Sequence, residues 1–219
     1  MQGRISLFTI QSSAVIDAVD ETGVYRPDPE RQDREGGPYR FGYGWMRLEM
    51  EKRIGAPTGS GIIWAWRRPR PSAALVHWYL PPGTEGVYLH LRVSRSRVLL
   101  SDYDAWDIAV FRQEPLTFSD RQRRIIERRI DRSPADPRLI LGPTWTRMFD
   151  LDHKPFATSA GTFRCARVQG SLAEIRREDI ASIRRCSHAG PEGRHPKECV
   201  ALHPAVKAAR EAADSGAPS

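Results

Sequence analysis

At 219 residues, with 40% hydrophobic and 28% charged side chains, the chain has the globular balance of one generous domain, or of one domain plus a tail. No apolar run approaches the roughly 20 residues needed to cross a bilayer, which excludes a helical membrane span. The 34 Lys and Arg against 27 Asp and Glu leave a net charge of +7, mostly on Arg, so both an anionic partner and plain solubility stay open.

The opening residues, Met1 to Ile10, hold one basic residue and an apolar run too short for a secretory signal, so they are expected to begin a cytoplasmic protein with a β-strand. Cys165, Cys186 and Cys199 are few and odd in number, which fits reduced thiols and the same address. Ile5, Leu7 and Thr9 alternate with Ser6, Phe8 and Ile10 in that strand; Ser12 or Ser13 then caps a helix over Ala14 to Val19, ended by Gly23. Residues 26 to 44, rich in Pro, Gly and charge, read as a long loop, and Trp45 to Ile54 as a helix stopped by Gly55 and Pro57. Gly61 to Trp66 reads as a buried strand with two Trp on one face.

Val87, Leu89, Leu91 and Val93 give the cleanest period-two pattern, a central strand expected to form a hairpin with Val98-Leu99-Leu100. Ser101 to Asp104 looks like the capped start of a helix through Trp106 and Val110. A helix over Ser119 to Asp131 should turn Ile125, Ile126 and Ile130 inward, and another is expected from Pro143 to Phe149. Phe163 to Gln169 and Leu172 to Ile175 read as closing strands, with a last core element from Glu178. These elements define an α+β domain, residues 1 to 185, with a mixed or antiparallel sheet of short strands and three or four helices. Residues 186 to 219 form a Gly/Pro/His/Ala-rich tail.

The order of motifs Phe8-Thr9-Ile10-Gln11, Gly23, Trp45-Met46 with Met50 and Arg53, Ile63-Trp64-Ala65-Trp66, Leu99 to Trp106 and Val168-Gln169 resembles a bacterial domain-of-unknown-function family, DUF3841, across about residues 4 to 185. That family brings no established activity. A remoter likeness is to small ADP-ribosyltransferase-type domains, which cleave NAD between nicotinamide and ribose. The resemblance implies NAD as cofactor, contacts from Thr9 or Gln11 and from Trp64 or Trp66, a catalytic role for Gln169, and transfer of ADP-ribose to a nucleic acid or protein. The sequence departs from the type in lacking the early His or Arg, and Gln169 can orient a ribose hydroxyl but carries no charge to stabilise a cationic ribose.

Other candidates each have a blander reading beside the chemical one. Asp102, Asp104 and Asp107 could hold a cation, or could simply cap and start a helix. Trp45, Trp64, Trp66, Trp78, Trp106 and Trp145 could line a pocket for a flat ring, or build core. Arg121, Arg123, Arg124, Arg128, Arg129 and Arg132 could track phosphates, or form a solvated face broken by Asp120, Glu127 and Asp131. Cys186, His188, His195, Cys199 and His203 could bind zinc, though their spacing follows no standard finger. Two functions follow as expectations: an NAD-binding domain of ADP-ribosyltransferase type, or a non-enzymatic module holding nucleic acid or an acidic protein on its Arg-rich helix.

Overall fold

The alternation at the start of the chain becomes β1 (Arg4–Ser12), and its side chains Leu7 and Thr9 are buried on one face of the sheet. The computed structural model describes residues 3–35, 39–68, 80–81, 83–152, 154–159, 161–163 and 167–187. Helix α1 (Ala14–Thr22) buries Val15 and Val19, one turn apart, against that face. It ends where Gly23 adopts φ 80° and its N–H bonds the Val19 carbonyl, a left-handed cap that glycine makes without steric cost.

The Pro- and Gly-rich stretch read as a long loop is largely helical. Helix α2 (Pro29–Glu35) begins with proline at its first position, and the Asp28 carboxylate accepts the Glu30 N–H at 2.9 Å. Helix α3 (Arg40–Ile54) starts five residues before Trp45. Gly42 lies so close to the next layer that a Cβ there would meet Val110 Cγ1 at 2.5 Å, so the glycine that looked like a breaker permits helix-to-helix approach. The Gln32 side chain holds α2 to the start of β3 (Ile63–Trp66), donating to the Ile62 carbonyl at 2.6 Å and accepting the Ile62 N–H at 2.8 Å.

Strand β4 (Glu85–Ser94) buries Val87, Leu89, Leu91 and Val93 as the alternation predicts. It pairs with β1 along nine residues and with the last strand, β10 (Ile180–Ser187), on its other side. Both edges are therefore filled, and β5 (Leu99–Asp102) does not form the expected hairpin with it. Instead β5 pairs with β8 (Val168–Leu172), giving a six-stranded antiparallel sheet in the order β10-β4-β1-β3-β8-β5.

Four strand intervals separate β4 from β5, about 19 Å if the sheet were flat. The link between them is Arg95 to Val98, mostly a 3-10 turn that spans only about 13 Å. The sheet must therefore curl, and its shortest ladder among the described residues is β1–β3, with the single registered pair Phe8 with Trp66. Two minor ladders, β2 (Val24–Tyr25) with β9 (Ile175–Arg176) and β6 (Phe156–Thr158) with β7 (Gly161–Phe163), complete the strands.

The side of the sheet opposite α1 is covered by α3 and by α4 (Tyr103–Phe111), with α6 (Pro137–Trp145) packed in the same core around Met46, Met50, Trp106, Leu141 and Trp145. Helix α5 (Asp120–Arg132) lies outside, with Ile126 and Ile130 against that core. Ile125, expected inward, is 56% exposed. Pro143 is not at a helix start: α6 begins at Pro137, and Pro143, lacking an N–H, makes no helical bond to the Leu139 carbonyl four residues back. No helix among the described residues is long and apolar enough to cross a membrane.

Candidate functional site

The three segments singled out in the sequence come from neighbouring strands, since β1, β3 and β8 lie side by side. Residues paired across an antiparallel ladder point to the same face, so Phe8, Trp66, Gln169 and Ser101 share one face through the pairs Phe8–Trp66, Trp66–Gln169 and Gln169–Ser101. Trp64, Ser171 and Leu99 form the next rung on that face. It is the face turned toward α3 and α4: the Trp66 ring lies 4.8 Å from Tyr103, Trp64 lies 5.0 Å from Trp106, and Tyr43 is 6.2 Å from Trp64.

Three polar side chains sit in this aromatic seam without bonding to anything around them. Ser101 and Ser171 are 0% exposed and Gln169 is 3% exposed; both serine Oγ atoms and Gln169 Nε2 are buried with no hydrogen-bond partner among the described residues. An unpaired buried polar atom costs about 1–3 kcal/mol, so three on one face are hard to account for by stability alone. On the opposite face the alternate positions of the same strands hold Ala65, Gly170, Leu100 and Leu172, and the buried polar groups there, Thr9 and Asp102, are hydrogen-bonded.

Thr9 and Gln11 do not join this group. They belong to the alternate set of β1, on the α1 side with Leu7. Thr9 is 2% exposed; its hydroxyl donates to the Trp64 carbonyl at 2.8 Å and accepts from Gln11 Nε2 at 2.8 Å. The seam thus unites Trp64, Trp66 and Gln169 and leaves Thr9 and Gln11 across the sheet, where their polar groups satisfy each other and the β3 backbone. Sequence reasoning missed Ser101 and Ser171. Their signal was a small hydroxyl next to an apolar residue in each strand, Leu100 before Ser101 and Leu172 after Ser171.

Beside Tyr103, Arg167 pairs with Asp104 and stacks its guanidinium 4.5 Å over the Tyr103 ring. Asp102, 0% exposed, caps α4 by accepting the N–H groups of Asp104 (2.8 Å) and Ala105 (3.1 Å). The aspartates therefore have helix-capping and ion-pairing roles, and no group of three His, Cys, Asp or Glu among the described residues could hold a metal. Burial pushes the Tyr43 phenol above its ordinary value, reinforced by the neighbouring Tyr39 and Tyr103, so it faces the seam as a neutral donor. Trp45 and Trp145 pack edge to face at 5.5 Å, and Trp145 Nε1 donates to the Glu114 carbonyl; these two and Trp106 contribute to the core. Cys186 is a half-buried thiol on β10, while Trp78, Cys165, His188, His195, Cys199 and His203 lie outside the described residues.

Two other surfaces stand out. An open groove of 1220 Å³ runs between α3 and α6, lined by Phe41, Trp45 and Arg47 and by the exposed Leu48 and Leu139. Arginines line α5: the half-buried Arg123 is held by Asp120 (3.3 Å) and Glu127 (2.6 Å), whereas the exposed Arg121, Arg124, Arg128, Arg129 and Arg132 form no ion pair among the described residues.

Comparison with known proteins adds one relationship. No curated protein and no solved structure matches the chain. A family model matches residues 6–122, just over half of the 219 residues, taking in β1, β3, β4, β5 and α4 but stopping short of β8 and Gln169. On that match, the chain belongs to the family described as Domain of unknown function (DUF3841).

Proposed function

We propose that this domain binds a nucleotide, NAD in the first instance, with its flat ring against Trp64, Trp66 and Tyr103 and its polar edge on Gln169, Ser101 and Ser171. The observation that carries the reading is the cluster of orphaned polar atoms inside an aromatic seam, the combination by which proteins hold planar, hydrogen-bonding heterocycles. The adjacency of β1, β3 and β8 supports the ADP-ribosyltransferase likeness, because it brings a middle and a late strand of the implied site together. The early-strand contact would come from the backbone or from Phe8, since Thr9 and Gln11 face away.

The same geometry favours binding over transfer. Cleaving the nicotinamide–ribose bond builds positive charge on the ribose, and a fixed anion facing it is the usual stabiliser. Here Gln169 is neutral, Asp102 is committed to a helix cap and Asp104 to Arg167. Calorimetry with NAD should show measurable affinity in the parent, reduced in Gln169→Ala and in Trp66→Ala, and release of nicotinamide would then separate an enzyme from a binder. Absence of binding by the parent would end the NAD reading.

A further inference from the structure

The five unpaired arginines of α5 are not scattered around the helix. Successive residues turn about 100°, which places Arg124, Arg128, Arg121, Arg132 and Arg129, with Ile125 among them, inside an arc of about 140°. Ile126 and Ile130 occupy the opposite side and pack on the core, with Arg123 beside them tied to Asp120 and Glu127. The helix has thus sorted its cations. The arginine that is half-buried has acidic partners, and the five exposed ones are left without any among the described residues.

We propose that this face docks nucleic acid through its phosphodiester backbone, independently of the nucleotide seam. From Arg121 to Arg132 the row runs about 16 Å along the axis, and a duplex presents about ten phosphate charges over that length. Arg is suited to the task because its planar fork binds phosphate bidentately and is more weakly hydrated than an ammonium. An acidic protein fits the surface less well. Protein interfaces centre on a dehydrated apolar core, and Ile125, 56% exposed, is the sole large apolar side chain within the arc. Ile125 also keeps the row from being purely ionic, offering a contact to sugar where the arginines flank it.

The test uses the full chain, a fluorescent 20-base-pair DNA duplex and a single strand of the same length, with polyglutamate as competitor. Four backbone contacts from Arg121, Arg124, Arg128 and Arg132 give a slope of log affinity against log salt of about −3.6 on duplex, hence roughly a 150-fold loss between 50 and 200 mM salt. The quadruple variant R121Q/R124Q/R128Q/R132Q should lose that slope and the affinity with it, while its melting temperature stays that of the parent, because glutamine keeps helix propensity and these side chains touch nothing in the core. Binding to single strand with a slope near −2.8 supports the same surface acting on unpaired nucleic acid. No binding at 50 mM salt, unchanged binding by the quadruple variant, or displacement by polyglutamate at equal charge concentration would each overturn the proposal. None of these outcomes bears on NAD, which is read separately by calorimetry on the seam variants.

Discussion

Replacing Ser101 and Ser171 together by alanine should make the protein more stable, against the usual expectation for buried positions. Each change removes one hydroxyl from a site that is 0% exposed and gives it no hydrogen bond. A buried hydroxyl without a partner costs about 1–3 kcal/mol relative to water, and the small gap left by deleting one oxygen returns part of that, so a gain of about 1 kcal/mol per site is expected. Two such gains, about 2 kcal/mol in a chain of this size, correspond to a rise in melting temperature of about 4–8 °C. The measurement is a thermal melt by calorimetry, with circular dichroism to show an unchanged fold, and the same protein should bind NAD more weakly. A fall in melting temperature would mean that the two hydroxyls are satisfied in solution, and the seam would then be ordinary core with no claim to a ligand.

Two further predictions concern the charged framework. Arg97 bridges Asp179 (2.9 Å) and Glu174 (3.4 Å), and Asp179 is 1% exposed, so Arg97→Ala should cost about 3 kcal/mol, measured by urea unfolding, because it leaves a buried carboxylate uncompensated. Burial tends to raise the Glu174 pKa, but hydrogen bonds from Arg176 and Arg26 outweigh it and hold the carboxyl below its ordinary value. A depressed carboxylate pKa contributes stability above the unfolded value, near 4.3, that is lost as pH falls through the folded value. Glu174→Gln should therefore be less stable than the parent at pH 7, and melts taken from pH 7 to pH 3 should show the difference shrinking.

What the sequence displayed was local. The alternations of β1 and β4, the Gly23 stop and the capped start of α4, where the Asp102 carboxylate accepts the Asp104 and Ala105 N–H groups, are each written in a few adjacent residues and appear in the structure where they were read. The Asp28-Pro29-Glu30 start of α2 was equally local but was taken for a break, because proline and nearby glycines signal both a helix start and a loop. Pairing was the illegible part. Nothing near Val98 to Leu100 shows that its partner is Val168 to Leu172, or that β4 already has strands on both sides. The site followed the same division. Gln169 and the two Trp could be named from their types, but the face that Thr9 takes depends on register with β3 and β4, and a one-residue offset carries it to the other side.

That offset also explains why the seam lies where it does. The six strands meet at the β1–β3 junction through one registered pair, so the sheet behaves as two arms, β10-β4-β1 and β3-β8-β5, folded toward each other by the short Arg95–Val98 link. On the α1 side the fold closes this angle with Leu7, Val98 and Leu172, and at Gly170 even a Cβ would sit 2.9 Å from Val98 Cγ1, so no room is left there for a ligand. On the other side the second arm carries Trp64, Trp66, Ser101, Gln169 and Ser171 beneath α3 and α4. Both faces carry buried core, with Leu7, Val15 and Leu89 on the α1 side and Met46, Trp106 and Trp145 on the other, so the domain's stability does not depend on the three unpaired polar atoms.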